Sequence, residues 1–261
     1  MSLKGKCAIV TGSTSGIGLG IAHALAAEGA NIVMNGFGPK DEIEKLRAGI
    51  ESKYGVKAIY NAADMTKPSE IAGLIDTAAK TFGGVGVLVN NAGIQHVAAI
   101  EDFPEDKWNA IIAINLSAAF HGSKFAIPHM RKAKWGRIIN IASAHGLVAS
   151  PQKSAYVAAK HGVVGLTKVA GLELANSGVT CNAICPGWVL TPLVQKQIED
   201  RAKAKGISFD EETVSFVSEK QQSNKFTTPE QIGGLAVFLC SAAADNIMGA
   251  ALPIDGGWVA R

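Results

Sequence analysis

The chain has 261 residues, of which 48% are hydrophobic and 29 are glycine, and its formal net charge at pH 7 is +3. This length fits one large α/β domain spanning residues 1–261, because no Pro-, Ser- or charge-rich linker divides it. The small net charge, with both signs interleaved, excludes a strongly basic nucleic-acid-binding protein. Polar residues interrupt every apolar run before ~18 residues, so we expect no membrane span.

Cysteine and histidine usage indicates neither disulfides nor a metal site. Cys7, Cys181, Cys185 and Cys240 fall in predicted strands or helices without metal-ligand spacing, and the six histidines are scattered. We interpret the cysteines as small buried residues of a reducing compartment. With no apolar signal segment at the N-terminus, we expect a soluble, cytoplasmic protein with no metal.

The N-terminal segment has the order of elements that a dinucleotide site requires. An apolar strand at 6–11 runs into the glycine loop at 11–18, and helical apolar spacing follows at 19–28. Glycines permit a tight turn and a close backbone approach to a pyrophosphate, whose charge is stabilised by the helix N-terminus. The alternative is a glycine-rich turn used only for packing.

Strands and helices then alternate along the chain. Further strands are predicted at 31–35, 57–61, 85–89, 137–142, 179–184 and 250–254, and helices at 41–54, 68–82, 108–130, 155–175 and 229–243. Connections of this length imply right-handed crossovers and a parallel sheet. Two polar helices predicted within 192–225 have no strand between them, so we expect a substrate lid there, at the carboxyl edge of the sheet.

Three side chains predict an acid/base site for alcohol–ketone interconversion. Ser143 ends a strand, and Tyr156 and Lys160 share one face of the following helix. A free tyrosine, with a pKa of ~10, is a poor base near neutral pH unless a fixed positive charge stabilises its phenolate. Lys160 supplies that charge, and the Ser143 hydroxyl is expected to hydrogen-bond the same substrate oxygen.

Six motifs in order resemble the short-chain dehydrogenase/reductase family: the glycine loop at 11–18, the segment 90–93, Asn115, Ser143, the pair Tyr156 and Lys160, and the segment 186–187. The resemblance covers essentially the whole chain. It implies an α/β fold, a doubly wound Rossmann-type parallel sheet of about seven strands with helices on both faces and a small helical lid.

The resemblance also implies a role for individual residues. The catalytic set would be Asn115, Ser143, Tyr156 and Lys160, with Asn115 anchoring a water chain and Lys160 both lowering the pKa of Tyr156 and holding the nicotinamide ribose. The cofactor would contact Gly12, Thr14, Ser15, Gly16, Ile17, Gly18, Phe37, Asp64, Met65, Asn91, Ala92, Gly93, Tyr156, Lys160, Pro186, Gly187, Val189 and Thr191. Asn115 as a mere helix polar residue, and Asp64 as a turn residue, remain open alternatives.

The end of the second strand departs from the family pattern. NAD-using relatives commonly place an acid there for the ribose 2′-hydroxyl, but this chain has Asn35, Gly36 and Phe37. An NADP enzyme would need Arg or Lys at this point or in the glycine loop, and Lys40 is the only nearby cation. We therefore favour NAD as the cofactor.

Within the family, the chain resembles the bacterial D-3-hydroxybutyrate dehydrogenases, through segments 93–96, 143–150, 153–156 and 257–258 and through Trp188 and Gln197. This resemblance implies a small keto acid or hydroxy acid as substrate, 3-hydroxybutyrate or acetoacetate. The substrate site would contain Gln95, Ser143, His145, Lys153, Tyr156, Trp188, Gln197 and Trp258, with the polar members holding the carboxylate. Alternatives are a solvated Lys153, a surface Gln197, a loop-stabilising His145 and a Trp258 that packs a subunit interface.

The residues and the resemblance leave three possible functions. The leading hypothesis is NAD-dependent interconversion of (R)-3-hydroxybutyrate and acetoacetate, and the runner-up is a 3-oxoacyl carrier-protein reductase or another ketone reductase of the same family. A dinucleotide-binding regulator without turnover is the alternative of another class. The family also implies a homotetramer built on helix faces and the C-terminal strand.

Overall fold

The computed structural model describes residues 3–260, apart from the side chain of Leu193. Within that range the strands are β1 (Cys7–Val10), β2 (Asn31–Asn35), β3 (Ala58–Asn61), β4 (Val87–Asn90), β5 (Gly136–Ile141), β6 (Val179–Pro186) and β7 (Ala251–Ile254). The α-helices are α1 (Gly16–Ala27), α2 (Lys40–Tyr54), α3 (Pro68–Phe82), α4 (Glu105–Ile112), α5 (Ala118–Ala133), α6 (Ser154–Leu174), α7 (Pro192–Lys205), α8 (Phe209–Ser218) and α9 (Pro229–Leu239).

The seven strands form one parallel sheet in the order β3-β2-β1-β4-β5-β6-β7. The chain builds outwards from β1 to β3, then crosses back to place β4 on the other side of β1. The connections after β1 and β4 therefore diverge at the carboxyl end of the sheet, and this switch point is where open α/β sheets bind ligands. The predicted doubly wound α/β fold is confirmed.

Apolar residues cover both faces of the sheet, because alternate strand residues point to opposite sides. Ala8 and Val10 of β1 belong to the core beneath α1, α2 and α9, whereas Cys7 and Ile9 pack beneath α3, α5 and α6. The helices α1 and α9 approach closely, since a Cβ at Gly20 would collide with Pro229. The packing of helices on both faces of the sheet holds the strand ends, and thus the loops that follow them, in fixed positions.

One predicted helix differs from the structure in a functionally relevant way. A single helix was expected over 108–130, but the chain forms α4, then one π-helical turn at Ala113–Ser117, then α5. A π turn inserts a residue into the helical repeat and turns the side chain there toward a new direction. Its buried residue is Asn115.

The continuous helical stretch Glu105–Ala133 is long and apolar enough to cross a membrane, judged by length and composition alone. In the fold, its α5 portion packs on β4, β5 and α3. Core helices of soluble proteins have the same apolar character, because they bury most of their circumference. The position of α5 on the sheet is that of a core helix.

The segment expected to be a lid forms two helices, α7 and α8. Glu212 of α8 is fully buried and pairs with Arg201 Nε at 2.6 Å and Lys205 Nζ at 2.7 Å, both on α7. Ser208 begins α8 with a capping box, accepting from the Glu211 N–H. A buried carboxylate needs such cationic partners, so the two helices are joined as one unit.

Candidate active site

A cleft of about 430 Å³ opens at the carboxyl end of the sheet, over the switch point between β1 and β4. One end is lined by the glycine loop and the end of β2, and the other by the segment after β5, the start of α6 and the lid. Its walls include most of the sequence-predicted site residues: Gly12, Thr14, Ser15, Gly16, Ile17, Phe37, Asp64, Met65, Asn91, Ala92, Gly93, Gln95, Ser143, His145, Tyr156, Lys160, Pro186, Gly187, Trp188, Val189, Thr191, Gln197 and Trp258.

Three positions of the glycine loop require glycine, two because of their backbone conformation and one because of close packing. Gly12 has a φ of +63° and Gly16 a φ of +52°, the left-handed region that glycine adopts without strain. A Cβ on Gly18 would collide with the Gly12 carbonyl and the Asn91 amide. Gly18 therefore lies behind the loop and not on the cleft wall. Its lack of a side chain lets α1 begin directly beneath the loop.

The first turn of α1 offers backbone N–H groups to the cleft. Ser15 precedes the helix in an extended conformation and makes no side-chain cap hydrogen bond, and the first turn has no acidic residue. Unpaired N–H groups at a helix N-terminus attract anions. With the glycine loop, they fit the pyrophosphate of a dinucleotide.

At the end of β2, a neutral residue ties the surrounding loops together. Asn35 is buried and donates from Nδ2 to the Asn61 carbonyl at 3.1 Å and the Ala63 carbonyl at 2.9 Å. It is followed by Gly36 and by Phe37, whose side chain is 71% exposed. The two residues after β2 thus give the cleft neither a carboxylate nor a cation.

Asn115 positions the loop after β4 and does not line the cleft. Its Oδ1 accepts from the Ile94 N–H and its Nδ2 donates to the Ile94 carbonyl, both at 2.9 Å. The π turn directs this side chain across to the loop. Gly93 and Gln95, on either side of Ile94, consequently have fixed positions on the cleft wall.

Asp64 follows β3 and lines the cleft near the end formed by the glycine loop, which we call the nucleotide end. Its Oδ1 accepts from the backbone N–H of Thr66 at 2.9 Å and from its hydroxyl at 2.8 Å. These bonds, together with Lys67, hold the pKa of the Asp64 carboxyl below its usual range. The carboxylate thus stabilises its own turn while lining the cleft, so the turn role and a ligand role are compatible.

Ser143, Tyr156 and Lys160 meet at the other end of the cleft. The Ser143 oxygen accepts from the His145 N–H at 3.1 Å, and the Ser143 hydroxyl also hydrogen-bonds Tyr156. Lys160 Nζ donates to the Ile141 carbonyl at 2.7 Å and lies 5.6 Å from the centroid of the Tyr156 ring. A hydroxyl, a phenol and an ammonium group therefore converge on one corner.

The charge states of this corner differ from the sequence-based expectation. Lys160 was expected to lower the pKa of Tyr156, but burial raises the Tyr156 pKa and outweighs the lowering effect of the Ser143 hydrogen bond. Burial also lowers the pKa of Lys160 to about 8. Low-dielectric surroundings disfavour every charged form, so the protein alone holds Tyr156 as the neutral phenol.

Aromatic rings form the wall beyond Ser143. The Trp258 ring centroid is 4.9 Å from that of His145 and 5.1 Å from that of Trp188, which in turn lies 4.6 Å from Phe216 of α8. His145 shares a 2.9 Å hydrogen bond between its Nε2 and the Ser150 hydroxyl. Burial, reinforced by Lys153, Lys220 and His161, lowers the His145 pKa to about 3, so His145 is neutral near pH 7.

Lys153 lies behind this wall and not on the cleft surface. Its side chain is 9% exposed, and its Nζ is 4.8 Å from the centroid of the Trp188 ring. Burial, followed by the charge of Lys220, lowers its pKa to about 8. Among the described residues, no carboxylate forms a salt bridge with Lys153. The charge of Lys153 therefore varies with pH just above neutrality.

Some contributors to the cleft were not predicted from sequence. Gln95 and Trp188 were predicted, and their buried Nε2 and Nε1 donors have no hydrogen-bond partner among the described residues. Phe216 and Val194 were not predicted. Phe216 packs behind Trp188, and Val194 of α7 joins the wall. The mostly polar sequence of the lid did not indicate that Phe216 and Val194 belong to this wall. The only indication was helical spacing, between Val194 and Gln197 and between Glu212 and Phe216.

Three comparisons with known proteins agree with this geometry. A family model described as short chain dehydrogenase matches residues 6–202. A protein of Cupriavidus necator named D-beta-hydroxybutyrate dehydrogenase is 60% identical over 261 residues, covering 99% of this chain and 100% of that protein. A Rhizobium meliloti protein of the same name is 55% identical over 256 residues, covering 98% and 99%.

A solved structure extends the comparison to three dimensions. A variant of actinorhodin polyketide ketoreductase with NADPH superimposes with a TM-score of 0.92 at 32% identity, covering 100% of both chains. The chain thus resembles oxidoreductases in fold as well as in sequence.

Proposed function

Because the chain belongs to the short-chain dehydrogenase family, we propose that it is an NAD-dependent enzyme that interconverts (R)-3-hydroxybutyrate and acetoacetate. Two relatives bearing the name D-beta-hydroxybutyrate dehydrogenase are 60% and 55% identical over nearly their whole lengths. The observation in the structure that carries the proposal is Lys153, a buried cation without a carboxylate partner in the described chain, beside the Trp188 wall of the cleft.

A buried charge without a counterion is costly, and a bound anion reduces that cost. Lys153 lies over Trp188, and the His145 ring, in the segment that follows β5, contacts both Trp188 and Tyr156. These contacts place Lys153 near the corner formed by Ser143 and Tyr156. A hydroxy acid with its carboxylate near its hydroxyl carbon matches this arrangement. Gln95 Nε2, also without a partner among the described residues, supplies a further donor at the cleft.

The chemical step is proposed to use three residues. Ser143 donates a hydrogen bond to the substrate oxygen. Tyr156 exchanges a proton with that oxygen: it accepts one when the alcohol is oxidised and donates one when the ketone is reduced. Lys160 stabilises the phenolate form of Tyr156 by its charge. Since burial keeps Tyr156 protonated, ketone reduction has its acid ready, and alcohol oxidation gains from higher pH.

The nucleotide end of the cleft fits a dinucleotide, and we propose NAD for it. A bound nicotinamide would supply hydride-transfer chemistry at the substrate carbon. Gly12, Gly16 and the start of α1 would hold the pyrophosphate, and Asp64 would face the adenine. Phe37 and Gly36 offer no cation to a 2′-phosphate, and Lys40 is exposed at the start of α2. These features favour NAD over NADP.

We further propose a single catalytic domain with α7 and α8 as the substrate lid, in a cytoplasmic homotetramer. All four cysteines are buried and unpaired, as is usual in a reducing compartment. Large apolar side chains are exposed on α5 (Phe120) and on α6 (Val169 and Leu172), and exposed apolar surface of this kind often marks a subunit interface. Light scattering of purified protein, with Leu172→Glu as the interface variant, tests the tetramer.

The decisive assay measures absorbance of reduced cofactor with (R)-3-hydroxybutyrate under NAD and then NADP. We expect turnover with NAD and at most weak turnover with NADP. A 3-oxoacyl carrier-protein reductase would instead prefer a long neutral thioester, for which Lys153 offers no charge partner. Absence of turnover with both 3-hydroxybutyrate and such a thioester, despite NAD binding, would favour the non-catalytic regulator.

A further inference from the structure

Gln221, three residues after α8, is fully buried and has no role in the site described above. Its Oε1 accepts from the backbone N–H of Trp188, and its Nε2 donates to the carbonyl of Lys225. Its own N–H donates to the Val217 carbonyl at 2.9 Å, which fixes it to the end of the lid. The amide group therefore uses both its donor and its acceptor inside the protein.

The side chain of Gln221 occupies space left by two glycines. A Cβ on Gly187 would collide with Gln221 Oε1, and a Cβ on Gly256, whose φ is +60°, would lie 3.2 Å from Gln221 Nε2. Each glycine shortly precedes a tryptophan of the cleft wall, Gly187 before Trp188 and Gly256 before Trp258. One buried glutamine thus lies between the two segments that carry the aromatic wall.

Other hydrogen bonds hold the backbone around this contact. The Gly187 N–H donates to the Ile254 carbonyl at 3.1 Å, and the Trp188 carbonyl accepts from Thr227 at 3.0 Å. The path of the main chain beside the nucleotide end therefore does not depend on Gln221. What depends on it is the N–H of Trp188 and the separation of the Trp188 and Trp258 segments.

We propose that Gln221 is a positioning residue that sets the spacing of Trp188 and Trp258 and thereby fits the substrate end to a short hydroxy acid. The ring centroids of the two tryptophans are 5.1 Å apart, and Lys153 lies over Trp188, so a shift of one ring changes both the size of the pocket and the place of the cation. This inference rests on the proposed function for the identity of the substrate.

The test compares Gln221→Met, which keeps the size of the side chain and removes both hydrogen bonds, with Gln222→Met at the exposed neighbouring position. For Gln221→Met we expect the KM for 3-hydroxybutyrate to rise about 3- to 10-fold, because one of the two lost hydrogen bonds is the one that holds the Trp188 N–H. The KM for NAD should stay within about twofold. The ratio of kcat/KM for 3-hydroxyvalerate to that for 3-hydroxybutyrate should rise, and acrylamide should quench tryptophan fluorescence more strongly. Gln222→Met should resemble wild type.

A purely structural role would lower the folded fraction, which reduces apparent kcat and leaves both KM values and the substrate ratio unchanged. That result would overturn the proposal. If Gln221→Met does not fold, Gln221→Glu, which keeps the oxygen facing Trp188, replaces it with the same readouts, and failure of both variants to fold would also overturn it. An inactive wild type refutes the proposed function alone, because fluorescence quenching still decides whether Gln221 positions the tryptophans.

Discussion

The Lys153 ammonium lies 4.8 Å from the centre of the Trp188 ring, with no carboxylate salt-bridged to it in the described chain. A cation over an indole face gains ~0.5–2 kcal/mol, which only partly offsets its desolvation. The pKa of about 8 reflects the imbalance. Lys153 is thus a group whose charge is best stabilised when an anion enters the neighbouring cleft.

The first prediction concerns this charge. Lys153 does not line the cleft, so we expect its flexible side chain to move past Trp188 to reach a bound carboxylate. Lys153→Met should then lower kcat/KM for 3-hydroxybutyrate by ~10–100-fold, because one charge-assisted hydrogen bond contributes ~1.5–3 kcal/mol. A secondary alcohol of similar length has no carboxylate and should be affected little. Steady-state kinetics on both substrates make the comparison, with Lys80→Met on the exposed face of α3 as a cation control away from the cleft. Equal losses on the acid and the alcohol would mean that Lys153 only supports the start of α6.

The second prediction concerns the proton-transfer group. Tyr156→Phe removes only the phenol oxygen, so turnover should fall by ~10²-fold or more while NAD affinity stays nearly unchanged. Stopped-flow turnover and cofactor fluorescence titration measure the two quantities. Near-normal turnover in this variant would exclude Tyr156 as the acid/base.

Much of the fold followed from sequence patterns that are local. Continuous apolar runs such as 31–35 predicted buried parallel strands, and Pro68–Phe82 was predicted with its observed bounds because proline and glycine mark its ends. The π turn at Ala113–Ser117 was missed, since one inserted residue hardly alters an apolar period of 3.6.

The site was less predictable than the fold, because burial and long-range contacts decide its charges. The spacing of Tyr156 and Lys160 placed them on one helix face, yet it carried no information on how burial raises one pKa and lowers the other. The sequence likewise gave no indication of a role for Gln221. Its significance comes from Gly187 and Gly256, which are distant in sequence and adjacent only after folding.

The third prediction concerns cofactor choice. Phe37 is exposed beside the nucleotide end, so Phe37→Arg should improve kcat/KM for NADP by about tenfold through one charge-assisted contact with the 2′-phosphate. Phe37→Leu is the matched control, since it removes the ring without adding charge. Wild-type turnover with NADP equal to that with NAD would contradict the premise.

The fourth prediction concerns stability at mildly acidic pH. His145 has a folded-state pKa of about 3, against 6.5 for the ordinary side chain, because burial and nearby cations disfavour its charged form. The folded protein therefore binds fewer protons at this group than the unfolded chain does between pH 3 and 6.5. Stability from this group is fully present above pH 6.5 and is lost as pH falls below it, by about 2 kcal/mol at pH 5.

The measurement is denaturant unfolding of wild type and His145→Asn between pH 7.5 and 5.0. At pH 7.5 the variant should have the lower free energy of unfolding, since it lacks the ring contacts with Trp258 and Tyr156, but its pH slope should be shallower. The other titratable groups, including His23 and Asp64 with their lowered pKa values, are the same in both proteins, so their contributions to the pH slope cancel. The difference between the two slopes therefore belongs to His145, and identical slopes would mean that the buried ring takes up its proton as readily as in the unfolded chain.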